Sequence, residues 1–374
     1  MMNKESKIFV AGGSGMVGNA IIRKLLEKGY SNVVSNYHKK EPNIESVKFY
    51  KLDLTNQAKT EEFFEKENPE YVFLAAAKVG GILANNTYKA DFIYENLAIA
   101  LNVIHSSFKF GVKKLLNLGS SCIYPKFAPQ PMKEEYLLTG SLEPTNEPYA
   151  IAKISAIKLC RYYNEQYNTN FISVMPTNLY GPNDNFDLFT SHVLPALIRK
   201  FHLGKCLREK NWESIRIDLN KRPIDGITGE HSKEEILSVL KKYGITENYI
   251  EIWGTGNVYR EFLHVDDLAD ACVFLMENVQ AVDMRELSPD YFVNVGNGTD
   301  LTIKELAETI KRIVGFEGDI KHDLSKPDGT PRKLLDVSKI KELGWVSKIN
   351  LEEGITRTYQ WYCDNISPRL HLGK

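Results

Sequence analysis

Lys7-Ile-Phe-Val-Ala-Gly-Gly-Ser-Gly-Met-Val-Gly18 decides how this chain is read. A short apolar run, Lys7–Ala11, ends in a glycine cluster, and a helix-like stretch, Asn19–Lys28, follows directly. Glycines 12, 15 and 18 have distinct uses. The first permits a tight turn, the second lets backbone approach a pyrophosphate, and the third allows close helix–strand packing. The helix N-terminus then faces the anion. Such a cluster is weak evidence alone. Placed after the first strand, at the start of a βαβ unit, it predicts dinucleotide binding by Gly12, Gly13, Ser14, Gly15, Met16, Val17 and Gly18.

The pattern continues outward. Candidate strands are Lys7–Ala11, Val33–Asn36, Val47–Tyr50, Tyr71–Ala75, Lys114–Leu118 and Phe171–Met175. Helix-like segments such as Ala90–Phe110 and Tyr149–Tyr167 separate them. This alternation predicts an α/β fold with a doubly wound parallel sheet. The second half is less regular. Within Leu203–Ile252, Ser232-Lys-Glu-Glu235 is a capping-box pattern, and the run behind it stops before Gly244. A further helix is predicted at Thr302–Val314.

Bulk composition narrows the function. The 374 residues carry a net charge of −1, which gives no reason to expect nucleic acid or an anionic membrane as partner. No apolar run approaches the length of a membrane span, and no secretory h-region opens the chain. The five cysteines form no C-x-x-C pair, so neither a metal site nor a disulfide framework is expected, and a reducing cytoplasm is the default location.

The end of the second strand bears on cofactor choice. NAD-preferring sites place an acid there for the ribose hydroxyls. Here the residues are Asn36-Tyr-His-Lys-Lys40. His38 and Lys39 are suited to a 2′-phosphate, which favours NADPH; the same residues also suit a solvated turn. Asp53, after the third strand, is a candidate for the adenine amine or for a local cap.

Tyr149 and Lys153 carry the chemistry. Four residues apart, they share one helix face. Of the 19 tyrosines, only Tyr149 has a lysine at the fourth following position. Ser120 lies at the end of another parallel strand, where ligands bind in such sheets. A ketone accepting hydride becomes an alkoxide that must be protonated. The expectation is that Tyr149 supplies the proton, that the Lys153 ammonium lowers the phenol pKa, and that Ser120 holds the substrate oxygen.

With these residues in view, the chain resembles the extended short-chain dehydrogenase/reductases. Longer blocks sharpen this: Ala75-Ala-Ala-Lys-Val-Gly-Gly81, Gly119-Ser-Ser-Cys-Ile-Tyr-Pro125, Met175-Pro-Thr-Asn-Leu-Tyr-Gly-Pro182, Trp253-Gly-Thr-Gly256 and Ser325-Lys-Pro-Asp-Gly-Thr-Pro-Arg332. They run through nearly the whole chain and are similar to the GDP-L-fucose synthase family. The resemblance implies a Rossmann-type NADP-binding domain, 1–180, with a later segment near 255–280 returning to it. It also implies a smaller mixed α/β substrate domain, 181–374, carrying an inserted segment, 203–252. The family epimerises C3 and C5 of GDP-4-keto-6-deoxy-D-mannose and reduces C4 with NADPH. By this resemblance Cys122 is the base and His192 the acid. NADP contacts fall at Leu118, Gly119, Ser120, Ser121, Lys153, Pro176, Thr177, Asn178, Leu179 and His192. Substrate contacts fall at Lys200, Trp253, Arg260 and Asp328. A homodimer through long helices is also implied.

Two departures are visible. Ser14 stands where the family often has a basic residue, and 203–252 is longer than in the shortest members. Alternatives are a C4 reductase of another GDP-4-keto sugar such as a 6-deoxy-heptose, an NAD-recycling epimerase or dehydratase, and a non-catalytic NADP-binding regulator.

Overall fold

A computed structural model describes residues 2–38, 41–326 and 328–366. It divides into two compact units. The first contains the chain up to Leu179, together with Glu261–Gly298 and Leu334–Lys348. The segments returning to it are thus longer and more numerous than the single stretch expected near 255–280.

The first unit is built on β1 (Ile8–Ala11), β2 (Val33–Tyr37), β3 (Lys48–Lys51), β4 (Tyr71–Leu74), β5 (Lys114–Leu118), β6 (Phe171–Pro176) and an edge strand, Phe292–Val295. The spatial order is Phe292–Val295, β6, β5, β4, β1, β2, β3, and every neighbour pair is parallel. Alternate residues of β1 enter different cores. Ile8 and Val10 pack in one cluster, Phe9 and Ala11 in the other. That period of two, apolar on both sides, is what a sheet covered on both faces requires. Helix α1 (Met16–Glu27) and the helix Val265–Asn278 supply one cover through Ile21, Leu25, Leu268 and Leu275. Helices α2 (Gln57–Glu67), α3 (Ile82–Thr87), α4 (Lys89–Lys109) and α5 (Glu147–Tyr167) follow in the chain, and Phe64, Ile104 and Ala156 supply the other.

Strand order reverses between β1 and β4, and the crevice at their carboxyl ends is where such sheets bind ligands. Gly12 sits there with φ +87°, and a Cβ on it would lie 2.7 Å from the Ala76 Cα. A Cβ on Gly18 would lie 2.2 Å from the Gly12 carbonyl oxygen. The spacing of the loop is therefore enforced by contact.

The second unit contains Tyr180–Arg260, Thr299–Lys333 and the chain from Ile349. Its helices begin with α6 (Val193–Arg208), α7 (Trp212–Lys221) and α8 (Lys233–Lys242), and continue with Ile303–Val314 and Leu351–Ile366. Strand Tyr249–Trp253 pairs in parallel with Asp319–Asp323. Around Tyr259–Arg260 lie the short strands Leu301–Thr302 and Arg332–Lys333. The capping box forms as expected: Ser232 accepts from the Glu235 N–H at 3.3 Å, and Glu235 accepts from the Ser232 N–H at 2.9 Å. Gly244, φ +69°, follows the helix end.

The excursion is shorter than 203–252. Leu203–Arg208 continues α6, and Tyr249–Trp253 is a sheet strand. Helix α6 buries Leu194, Ile198, Phe201, Leu203 and Leu207 around its circumference, so it has no polar stripe to betray it. Among the described residues, no helix is long and apolar enough to cross a membrane.

The glycine loop gives a direct stability prediction. Gly18→Ala forces a carbon against the Gly12 carbonyl and should cost about 1–3 kcal/mol, the usual effect of overpacking. Thermal or urea unfolding checks this; a variant as stable as the parent would mean the loop yields without cost.

Candidate active site

The glycine loop leaves one side open. A Cβ on Gly15 would meet only the Gly12 carbonyl, at 3.4 Å. Gly15 is the N-cap of α1, no side chain caps that helix, and its first turn holds no acid. Backbone N–H groups and the positive helix end therefore present themselves to an anion, so the loop fits a dinucleotide pyrophosphate. Met16 and Val17 form the first turn, half-buried, and Ser14 is exposed.

Asn36 occupies the end of β2, where an acid would meet ribose hydroxyls. Its side chain is committed to the fold. Oδ1 accepts from the Gly12 N–H at 2.8 Å, and Nδ2 donates to the Leu52 carbonyl at 3.0 Å. His38 is exposed beyond the strand. Lys39 lies outside the described residues. Asp53 accepts from the Thr55 N–H and hydroxyl at 3.0 and 2.8 Å. Although burial opposes ionisation, these bonds and the nearby His38 hold its pKa below the ordinary carboxylate value.

Ser120, Cys122, Tyr149 and Lys153 come together at the carboxyl end of β5. Ser120 caps a short 3-10 turn, Ser121–Ile123, and its Oγ lies 2.8 Å from the Cys122 Sγ. Tyr149 stands at the start of α5, just after Pro148, where a proline is compatible with the first turn. Its phenol is hydrogen-bonded with Ser120. One turn along, the Lys153 ammonium donates to the Leu118 carbonyl at 2.7 Å. It lies 5.6 Å from the centroid of the Tyr149 ring.

This geometry revises the expected electrostatics. Burial, reinforced by the neighbouring Cys122 thiol, pushes the Tyr149 phenol above its ordinary pKa; the Ser120 bond pulls the other way. Burial brings Lys153 down to about 8, with Cys122 opposing. A phenol that keeps its proton suits a donor to an alkoxide. Behind Lys153 is a void of about 10 Å³ bordered by Asn96 and Asn117, near the volume needed for one water. Neither asparagine's position is legible in the sequence.

The other candidate cofactor residues of this unit cluster near the same strand ends. Leu118, Gly119 and Ser121 are buried. Pro176 ends β6, and Thr177 and Asn178 donate to the Glu261 carbonyl at 3.3 and 2.8 Å. Leu179 is half-buried. Glu261, missed in the sequence, has no exposed surface. Its carboxylate accepts from the Gly298 and Leu335 N–H groups at 2.8 and 3.0 Å, stitching the returning segments into the first unit.

The remaining candidates lie in the second unit. His192 is the N-cap residue of α6, and its ring reaches solvent. Dense surroundings, with the Lys333 ammonium adding, hold its imidazole below the usual histidine pKa. Lys200, on the same helix, donates to the Glu251 carbonyl at 2.9 Å and is brought down to about 8 by burial. Trp253 is exposed just beyond Glu251. Asp328 accepts from the Thr255 N–H at 2.7 Å and from its hydroxyl, so it binds two loops together. Thr255 shows in the sequence only as part of the Trp253–Gly256 block, because a threonine between glycines carries no charge signal. Arg260 donates to the Tyr259 and Thr330 carbonyls, both at 2.7 Å, and burial lowers its pKa. Cations, an exposed indole and constrained loops form an arrangement able to receive an anionic, ring-bearing ligand. Among the described residues, no group of three or more His, Cys, Asp or Glu could hold a metal ion.

Comparison with known proteins identifies the chain's relatives. The NAD dependent epimerase/dehydratase family matches residues 8–221 and 228–296. GDP-L-fucose synthase 1 of Arabidopsis thaliana is 52% identical over 369 residues, covering 99% of this chain and 97% of that protein. GDP-L-fucose synthase of Escherichia coli is 46% identical, covering 97% of this chain and 98% of that one. A solved GDP-mannoheptose C4 reductase of Campylobacter jejuni, with NADP bound, superposes with a TM-score of 0.82 at 44% identity, covering 97% of this chain and all of that one. The chain belongs to the NAD dependent epimerase/dehydratase family and, within it, to the GDP-L-fucose synthases.

Proposed function

We propose that this chain is an NADPH-dependent epimerase–reductase that converts GDP-4-keto-6-deoxy-D-mannose to GDP-L-fucose, inverting C3 and C5 and then reducing C4. The observation carrying this reading is Cys122 placed 2.8 Å from Ser120, within the same cluster as Tyr149 and Lys153. A simple ketone reductase needs the serine, tyrosine and lysine. It has no use for a further proton-accepting group beside them.

The first unit is the NADP-binding domain in this reading, and the second carries the substrate contacts. The glycine loop holds the pyrophosphate; His38, with Lys39, meets the 2′-phosphate; Asp53 meets the adenine; Leu118–Ser121 and Pro176–Leu179 line the nicotinamide half. NADPH supplies the hydride when bound. Both C3 and C5 flank the C4 ketone, so their protons are acidified through an enolate. Ser120 and Tyr149 hold the developing enolate oxygen. Inversion requires one group to remove a proton and another to return one from the opposite side. Cys122 is the base and His192 the acid. In the reduction, Tyr149 gives its proton to the C4 oxygen, and Lys153 stabilises the phenolate left behind. Lys200 and Arg260 hold the diphosphate, with Trp253 and Asp328 beside them.

A second reading is favoured by the GDP-mannoheptose reductase, which matches this chain nearly end to end at 44% identity. It keeps the Tyr149 step and changes the sugar. NADPH consumption followed with each keto sugar separates the two readings, and turnover of the heptose alone would replace the first.

A homodimer in the cytoplasm fits the surface. Helices α4 and α5 pack together and leave Tyr94, Leu101, Ile151 and Tyr162 exposed, and all five cysteines are free thiols.

Two predictions follow from the Tyr149 cluster. Tyr149→Phe should cut C4 reduction by at least about 100-fold, within the range that a lost proton donor costs. NADPH affinity, measured by fluorescence titration, should be preserved; retained reduction would remove Tyr149 from its role. The pH profile tests Lys153. Its pKa is depressed to about 8, so its charge is present below that value and lost as pH rises through it. Reduction should therefore decline above about pH 8, and a rate still rising well beyond that pH would contradict the assignment.

A further inference from the structure

Helix α6 carries two groups that the proposed reaction uses, His192 at its start and Lys200 in its body. Arg199 lies between them in sequence and does neither job. It has no exposed surface, and neither does its partner, Asp218 of α7. Arg199 Nε and Nη2 donate to the same Asp218 oxygen at 2.9 and 2.7 Å. Its Nη1 donates to the Phe186 carbonyl at 3.3 Å, and Nη2 also reaches the Arg222 carbonyl. The other Asp218 oxygen accepts from the Tyr362 hydroxyl at 2.6 Å.

The surroundings close around Phe186. Its ring centroid is 4.7 Å from that of Tyr362. The Arg222 guanidinium stands 5.5 Å from the Phe186 ring and 5.3 Å from the Tyr362 ring. Phe186 belongs to the stretch that leads into His192 and α6. One buried node thus joins that stretch, α6, the segment carrying α7, and the helix Leu351–Ile366.

Such a node is a poor way to gain stability alone. Removing two charges from water is costly, and apolar residues of similar volume often serve as well or better. What an ion pair adds is geometric: one rotation and one axial position satisfy the bonds. Arg199 lies seven residues beyond His192, nearly two full turns and about 10 Å along the axis, so the two project from similar sides of the helix. Lys200 is the adjoining residue. Pinning Arg199 pins both.

We propose that the Arg199–Asp218 node is a positioning device, through which the excursion between α6 and strand Tyr249–Trp253 sets the placement of His192 and Lys200. The excursion is thereby part of the sugar-handling apparatus, although it supplies no group to the reaction. This rests on the reading of His192 as acid and Lys200 as diphosphate contact. Asp218, Arg199 and Tyr362 are positioning residues.

The test uses the full chain and the double variant Arg199→Met/Asp218→Leu, which removes the charges while keeping the interior filled. Tyr362→Phe, lacking one hydroxyl, is the milder companion should the double variant not fold. Rates are normalised to folded protein by circular dichroism and thermal melting. Deuterium uptake from solvent at C3 and C5 should fall about tenfold or more, inside the hundredfold that a displacement of about 1 Å can cost. KM for the GDP-sugar should rise, and affinity for NADPH should stay unchanged. Tyr362→Phe should shift the same quantities less. Folded variants with parental exchange and parental KM for the sugar would overturn the proposal, leaving the node merely structural. If the parent protein itself shows no exchange, the His192 reading fails separately, and the node stands or falls on the KM for the sugar through Lys200.

Discussion

The hydrogen bond from the Lys153 ammonium to the Leu118 carbonyl is the constraint on which the first unit's chemistry depends. It ties the first turns of α5 to the carboxyl end of β5 at 2.7 Å. Ser120 begins its turn two residues after Leu118, and Tyr149 stands one turn before Lys153. One bond between helix and strand therefore brings phenol, hydroxyl and thiol into a single cluster. Burial sets the electrostatics of the cluster. Burial dominates the Tyr149 phenol and keeps it protonated. Burial leaves Lys153 close to titration near neutrality. Both groups are poised for a reduction that consumes a proton, and neither depends on the phenolate as its resting form.

The parts of the fold visible in the sequence are those whose physical requirements are local. Strands β1, β4, β5 and β6 announce themselves because both of their faces are covered, so they read as largely apolar runs. The helix Ile303–Val314 and α8 announce themselves through Ser or Thr at the cap and Glu three residues on. Tyr149 and Lys153 are visible because a helix turn fixes their spacing. The strand Phe292–Val295 is short and contains the buried Asn294, whose side-chain amide donates to the Met132 and Asp336 carbonyls and whose backbone N–H donates to Glu134, all in distant parts of the chain. Only three apolar residues, split by that asparagine, mark it in the sequence. Helix α6 escapes notice for the opposite reason, being buried all round.

The same distinction holds for charge. Lys114 looks like an ordinary start to a strand. In the structure it is buried, and it donates to the Leu275, Met276 and Val279 carbonyls at the end of the helix Val265–Asn278. It adds a donor to carbonyls at that helix's C-terminal end, where the helix runs out of N–H groups of its own and a positive charge is favoured. Arg199 and Asp218 are nineteen residues apart in unrelated sequence contexts, and nothing local marks them as a pair. Long-range satisfaction of buried polar groups is the information a single sequence carries least legibly. Cys122 and His192 belong to a third class: their meaning came from the longer words around them, because an isolated cysteine or histidine is chemically ambiguous.

In the proposed mechanism, proton removal at the sugar precedes hydride transfer. Product analysis by NMR in deuterated solvent, with GDP-4-keto-6-deoxy-D-mannose and NADPH, tests it most directly. The expected product is GDP-L-fucose carrying deuterium at C3 and C5. A C4-reduced product with both carbons undeuterated and of unchanged configuration would contradict it.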